Sequence, residues 1–211
     1  MNDQKTDRSI IAESVIILAA GSSSRLGQSK QLVEVDGVPL LLKSTLTALE
    51  ANYTNMVVVL GANADQHKKK IAHLPVEIIT NTEWKKGMGS SLKTGLEHVL
   101  KSRPETGAVL VMVCDQPLLT SAHLAALRDV HKNTSSQIVA SRYGNTIGVP
   151  AIFDRILFSE ILKIKDAQGA KAIIESHTEF VNTIDWEAGH LDIDTPDDLK
   201  LLNSEQGYLS D

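Results

Sequence analysis

The chain has 211 residues, 42% of them apolar and 22% charged, with a formal net charge of −5. A chain of this length buries about 70% of its unfolded surface, so it needs neither metal nor disulfide to fold. Its acidic balance runs against the basic composition of a nucleic-acid-binding domain, and a single cysteine, Cys114, excludes a disulfide framework or a cysteine-rich zinc site.

Residues 1–12 read as a polar leader, 13–205 as one domain and 206–211 as a tail. The leader has no apolar core of signal-peptide length, and no apolar run reaches the ~18 residues needed to cross a bilayer. The expectation is a cytoplasmic protein with no membrane or nucleic-acid partner. Residues 14–19 (SVIILA) are a buried strand, and the helix expected over 39–51 has a proline at its start. MVVVL at 56–60 is the next strand, followed by a helix through residue 70. A strand at 76–80 and an amphipathic helix at 90–101 follow, then the apolar run AVLVMV at 108–113. A helix at 121–133, strands at 137–142 and 149–153, and short helices near 155–163 and 169–176 come next. Short strands at 180–184 and 191–193 precede a last helix. That helix starts at Thr195-Pro196-Asp197-Asp198, with a capping threonine, proline at the first position and acids in the first turn. Alternating strands and helices with fully apolar strands predict an α/β fold with a mostly parallel sheet covered on both faces. Ligands then bind at the carboxyl ends of the strands, where strand order reverses.

Two loops fall at that edge. The first holds Gly21, Ser22, Ser23 and Ser24, then Arg25, Gly27 and Lys30. Small residues let backbone N–H groups surround phosphate oxygens, while Arg25 offers a planar fork and Lys30 a point charge. The spacing is neither a P-loop nor GxGxxG. The second loop begins at Asp115, after the 108–113 strand. A carboxylate there is costly to desolvate unless it is paired or binds a cation, and magnesium commonly takes one or two carboxylates plus substrate phosphates. A helix-cap acid is the other reading. Asp192 and Asp194 project from the same side of the 191–193 strand, and either could complete a metal site with Asp115. Gly87-Met88-Gly89-Ser90-Ser91 opens a helix, either as a cap or as contacts to a base or ribose. Thr146-Ile147-Gly148-Val149-Pro150 is either a plain turn or a lining of the acceptor pocket. The seven histidines show no metal-binding pairing and read as surface or helix residues. Cys114 reads as buried packing, and His67-Lys68-Lys69-Lys70 as a solvated charge run.

Four segments, LAAGSSSRLG with Lys30, GMGSSL at 87–92, DQP at 115–117 and DIDTPDD at 192–198, stand in one order along nearly the whole chain. In them the chain resembles the molybdenum cofactor cytidylyltransferases, nucleotidyltransferases of Rossmann-like three-layer α/β/α fold. The resemblance implies that CMP passes from CTP to the terminal phosphate of molybdopterin, with magnesium as cofactor. Pyrophosphate is released, and a molybdenum hydroxylase is a candidate recipient of the product. It implies nucleotide binding by Ala19, Ala20, Gly21, Ser22, Ser23, Ser24, Arg25, Lys30, Gly61, Ser90 and Ser91. Catalysis falls to Arg25, Lys30 and Asp115, metal binding to Asp115 with Asp194 or Asp192, and acceptor binding to Gln116, Gly148, Pro150 and Gly169. The alternatives are a guanylyltransferase, a transferase to sugar or polyol phosphates, and a non-catalytic protein that delivers cofactor. The sequence departs from the family where many relatives carry Gly-Asp-x-Gly-Ala. Here the run is Asp166-Ala167-Gln168-Gly169-Ala170, with the acid displaced by one residue.

Overall fold

The computed structural model describes residues 12–23, 26–195, 197–199 and 202; Ser24, Arg25, Pro196, most of the leader and the tail lie outside them. Five runs of β-branched and apolar residues form the strands of one seven-stranded sheet together with two less apolar ones. They are β1 (Glu13–Ala19), β4 (Met56–Leu60), β5 (Glu77–Thr80), β6 (Ala108–Val113), β7 (Ile138–Tyr143), β8 (Thr146–Asp154) and β9 (Val181–Asp185). Their spatial order is β5-β4-β1-β6-β8-β7-β9. β5, β4, β1 and β6 run parallel, β8 runs against both β6 and β7, and β9 pairs parallel with β7.

Side chains alternate across the sheet, so each strand feeds two cores. Val15, Ile17 and Ala19 of β1 join one cluster with Leu41 and Ala48 of α1 (Leu40–Glu50), Ile71 of α2 (Ala64–Ile71) and Leu124 and Leu127 of α4 (Ser121–Asn133). Ile16 and Leu18 face the other, with Leu92, Leu96 and Val99 of α3 (Met88–Ser102), Ile161 of α5 (Phe158–Ile161) and Ile173 of α6 (Ala170–Ser176). The result is the expected three-layer, mostly parallel α/β architecture.

Several local expectations are corrected. Residues 146–149, read as a loop, open the nine-residue strand β8, because they pair back on β7 through a turn at Gly144. Residues 191–193 are not a strand. Leu191 and Ile193 instead fill a small third core with Leu26, Val33, Val35 and Leu40. A hairpin of β2 (Glu34–Val35) and β3 (Val38–Pro39) precedes α1; its turn, Asp36-Gly37, has both φ values positive, as such two-residue turns require. Three histidines read as surface or helix residues are buried: His67, His123 and His131 sit on helices but face inward. Lys68, Lys69 and Lys70 are exposed as expected.

Pro150 cannot donate to a ladder, and a proline inside a sheet needs a bulge or an edge. It sits where the β7–β8 register shifts, and the β6–β8 ladder ends one residue away at Val111↔Ala151. The freed carbonyls are satisfied by side chains: Ser141 Oγ donates to Pro150 O at 2.7 Å, and Gln116 Nε2 to Val149 O at 3.3 Å.

Candidate active site

From β1 the chain steps outward to β4 and β5, then returns to the other side of β1 as β6. The loops after β1 and β6 therefore part, and a cleft opens between them. Its volume is about 300 Å³, and its walls include Ala19, Ala20, Gly21, Ser22, Lys30, Gln31, Trp84, Lys85, Met88, Ser91, Cys114 and Asp115.

The first loop is held in shape by Gln31. Its side chain is almost wholly buried and turns back, donating to Ala19 O at 3.0 Å and Gly21 O at 2.9 Å. Its Oε1 accepts from Ser29 Oγ at 2.7 Å. Ser23 adopts a positive φ of 55° and accepts from the backbone N–H of Lys30 at 2.9 Å. These bonds occupy the interior of the loop, while Gly21 is exposed with open space where a Cβ would stand. Gly61 lies beneath the cleft: a Cβ there would come within 2.6 Å of Ala20 O and 2.7 Å of Trp84 Cβ.

Lys30 Nζ lies 2.6 Å from Asp115 Oδ2 and 2.6 Å from Asp194 Oδ1. Burial works against its charge, but the two carboxylates outweigh burial and raise its pKa, so the ammonium stays protonated. The C-terminal segment is docked by Ile193 N–H donating to Asp115 O at 3.0 Å, with Leu191 and Ile193 packed inward, which turns Asp194 toward Lys30. Asp198 fixes its other end, its Oδ2 accepting from the backbone N–H of Asp194 at 2.9 Å and of Thr195 at 2.6 Å, while its own N–H donates to Thr195 Oγ1 at 3.4 Å, a reciprocal capping box. Asp192 is exposed as a residue. Even so, partial burial of its carboxyl, then Asp115 and Asp194, push its pKa up to about 6, against a hydrogen bond from Gln116.

Among the described residues no group of three or more His, Cys, Asp or Glu side chains is placed to hold a metal by itself. A magnesium ion that draws most of its ligands from phosphates and water needs no such group. One observation fits it: Asp115 Oδ1 is buried and makes no hydrogen bond. A buried carboxylate oxygen without a partner is costly, and a cation relieves that cost.

On the far wall, Gly87 takes φ 127° and ψ 179°, a conformation open only to glycine. It and Gly89 lie flat on the 165–168 turn, and Gly89 N–H donates to Asp166 O at 2.9 Å. Ser91 lines the cleft, whereas the hydroxyl of Ser90 turns inward, donating to Gly87 O at 2.8 Å. Both hydroxyls accept from Nδ2 of the buried Asn81, at 2.8 and 3.0 Å. The residues expected on the acceptor side do not gather in the cleft. Gln116 bonds Val149 O and Pro150 O accepts from Ser141 at the β8 bulge, Gly148 packs against the Tyr143 hydroxyl, and Gly169 against Met88. The displaced Asp166 pairs with Lys93 at 2.6 Å, which lowers its pKa. Arg25 and Ser24 lie outside the described residues.

Sequence reasoning missed Gln31, Asn81, Trp84 and Lys85. Lys85 Nζ stands 5.7 Å from the Trp84 ring centroid on the cleft wall. An exposed-looking WKK beside GMGSSL was the available signal for the last two; nothing in the sequence marks Gln31 or Asn81.

A mostly parallel sheet with a cleft of about 300 Å³ at its switch point and a lysine pinned by two carboxylates fits the class of nucleotide-binding α/β transferases. The fold recurs at a TM-score of 0.77 in Rv0371c from Mycobacterium tuberculosis H37Rv, 26% identical, which covers 91% of this chain and 97% of that one. It recurs at 0.77 in a nucleotidyl transferase from Methanothermobacter thermautotroptrophicus at 16% identity, a likeness of fold alone. A further Rv0371c structure, 24% identical, is a complex with manganese. By sequence, nicotine blue oxidoreductase of Paenarthrobacter nicotinovorans is 28% identical over 196 residues, 89% of this chain and 94% of that protein. The bifunctional protein GlmU of Cutibacterium acnes is 29% identical over 182 residues, and the chain spans 42% of its length. The MobA-like NTP transferase domain matches residues 15–181, so the chain belongs to that family and is a nucleotidyltransferase.

Proposed function

We propose that the chain transfers CMP from CTP to the terminal phosphate of molybdenum cofactor, giving molybdopterin cytosine dinucleotide and pyrophosphate. The observation that carries the transfer chemistry is Lys30 Nζ, held 2.6 Å from both Asp115 and Asp194 at the mouth of the cleft. A phosphate oxygen of the acceptor attacks the α-phosphorus, the bond to the β-phosphate oxygen breaks, and pyrophosphate departs. An ionised phosphate needs no base, so positioning and charge neutralisation suffice. The backbone of residues 19–23 encloses the phosphates, and the phosphate-binding roles of Ser24 and Arg25 rest on the sequence resemblance alone. Lys30 meets the charge that builds on the α-phosphate. Asp115 with Asp194 or Asp192 would hold magnesium, which would supply charge neutralisation for the triphosphate. Ser91 reaches the nucleoside, Gly61 and Ser90 shape the wall behind it, and the acceptor roles of Gln116, Gly148, Pro150 and Gly169 rest on the sequence resemblance alone. CTP and the molybdenum-pterin acceptor rest on the four matched segments. The product would then pass to a molybdenum hydroxylase in the cytoplasm.

Pyrophosphate release is the test, with magnesium, each of the four nucleoside triphosphates, and either molybdenum cofactor or a sugar or polyol phosphate as acceptor. The reading expects turnover with CTP. Turnover with GTP in place of CTP overturns the cytidylyl assignment, and turnover only with a sugar or polyol phosphate overturns the acceptor. Binding without pyrophosphate release from any pair points to the delivery protein.

A further inference from the structure

We propose that His67 is a positioning residue for the phosphate-binding loop, acting through Ser29 and Gln31; this rests on the loop's proposed role as the phosphate cradle. His67 lies in α2, far from the cleft in sequence and absent from its walls, and its ring is fully buried. Its Nε2 lies 2.5 Å from Ser29 Oγ, while its Nδ1 is buried and has no partner.

The direction of the bond follows from counting hydrogens. Both Gln31 amide hydrogens go to Ala19 O and Gly21 O, so Gln31 Oε1 can only accept. The single hydroxyl hydrogen of Ser29 goes to that Oε1 at 2.7 Å. Ser29 Oγ is then an acceptor toward the imidazole, and His67 Nε2 carries the hydrogen. A directed chain runs from α2 through Ser29 to Gln31, and from Gln31 to the two carbonyls that set where β1 ends and the loop begins. With Nδ1 unpartnered there is no onward path for a proton, so the imidazole orients and does not relay. Its neutral state agrees with burial, which lowers its pKa. Packing alone does not call for an imidazole here, since a phenyl ring would fill the space without a buried nitrogen lacking a partner.

The test uses the full chain, with calorimetric binding of magnesium pyrophosphate and magnesium CTP, pyrophosphate release, and thermal melting. His67→Phe and Ser29→Ala each remove the bond from one end and should each weaken pyrophosphate and CTP binding about tenfold, the worth of one oriented hydrogen bond. The double variant should bind no more weakly than the worse single variant. His67→Gln places an N–H near the former Nε2 and should restore binding to within about threefold. Wild-type affinity in His67→Phe, additive losses in the double variant, or a His67→Gln as impaired as His67→Phe at an equal melting temperature each overturn the proposal. Should His67→Phe not fold, Ser29→Ala and His67→Gln still decide it. A wild-type protein that binds neither probe overturns the phosphate-cradle reading as well, so the two failures are distinguishable.

Discussion

Lys30 is charged at every physiological pH and shares its ammonium between two carboxylates, a poised arrangement. When a triphosphate enters, the ammonium need only exchange one anionic partner for another, so little reorganisation accompanies binding. Lys30→Ala and Asp115→Ala should therefore each lower turnover at least ~100-fold, the usual loss on removing one preorganised charge, measured as kcat for pyrophosphate release. Near-normal kcat in both variants would sink the proposed chemistry. Lys30 and Asp115 were legible in the sequence because each follows an apolar strand, at the edge where α/β proteins bind ligands. Gln31 was not, because its role depends on a side chain folding back over its own loop. Nor could spacing show that Asp194 meets Lys30, since the encounter depends on the docking of Ile193 against Asp115 O.

Among the elements, one tight joint is between the start of α3 and the 165–169 turn. Gly89 leaves no room for a Cβ, which would stand 2.5 Å from Gln168 O. Gly87 combines crowding against Ala167 Cα, 2.7 Å from its hypothetical Cβ, with a backbone conformation that other residues rarely adopt. Gly87→Ala should destabilise by about 1–3 kcal/mol, a range that strain and overpacking share, and should lower the melting temperature while weakening nucleotide binding. An unchanged melting temperature would mean that the two turns move apart readily. The strands themselves were legible from apolar runs. What misled was the turn region 146–149, whose pairing is set by β7, and residues 191–193, whose alternating pattern serves packing without a partner strand. The displaced Asp166 shows a similar limit: its carboxyl goes to Lys93 and its carbonyl to Gly89, a use that no motif comparison anticipates.

On the scale of the whole molecule, the described sheet divides at β1 and β6, with the nucleotide-side elements on one flank and β8, β7 and β9 on the other. The three-layer fold was legible from the alternation of segments, whereas the reversal of β8 was not, because a short apolar run has no direction. Two inward histidines give the fold a pH dependence. Burial lowers the pKa of His67 and of His123, so the unfolded chain binds more protons as the pH falls. Their contribution is complete above about pH 6.5 and is lost progressively as the pH drops below it. Asp192, raised to about 6, has the opposite sign: its charged form is disfavoured in the fold, and that penalty disappears as the pH falls through 6 toward the ordinary carboxylate value. Melting wild type and His123→Gln between pH 8 and 5 separates the two effects, with the variant expected to lose less stability below 6.5. Equal slopes would contradict the burial of a neutral His123. Saturating ligand acts on the same scale: CTP with magnesium at about 100 times its Kd adds about 2.7 kcal/mol. For a chain of this size that is a rise of roughly 5–10 °C in Tm.

The clasp at Lys30 also has a meaning in time. Its first carboxylate lies 85 residues downstream and its second 164. A ribosome that has released the chain only as far as β6 has exposed the four neighbouring parallel strands β5, β4, β1 and β6 and the loop that Gln31 shapes. Leu26, Val33, Val35 and Leu40 then still lack the cover of Leu191 and Ile193. Any fragment ending before residue 191 is thus both greasy on that flank and short of one acid beside Lys30. Cover for that flank and the second acid beside Lys30 therefore come from one and the same segment, residues 191–194.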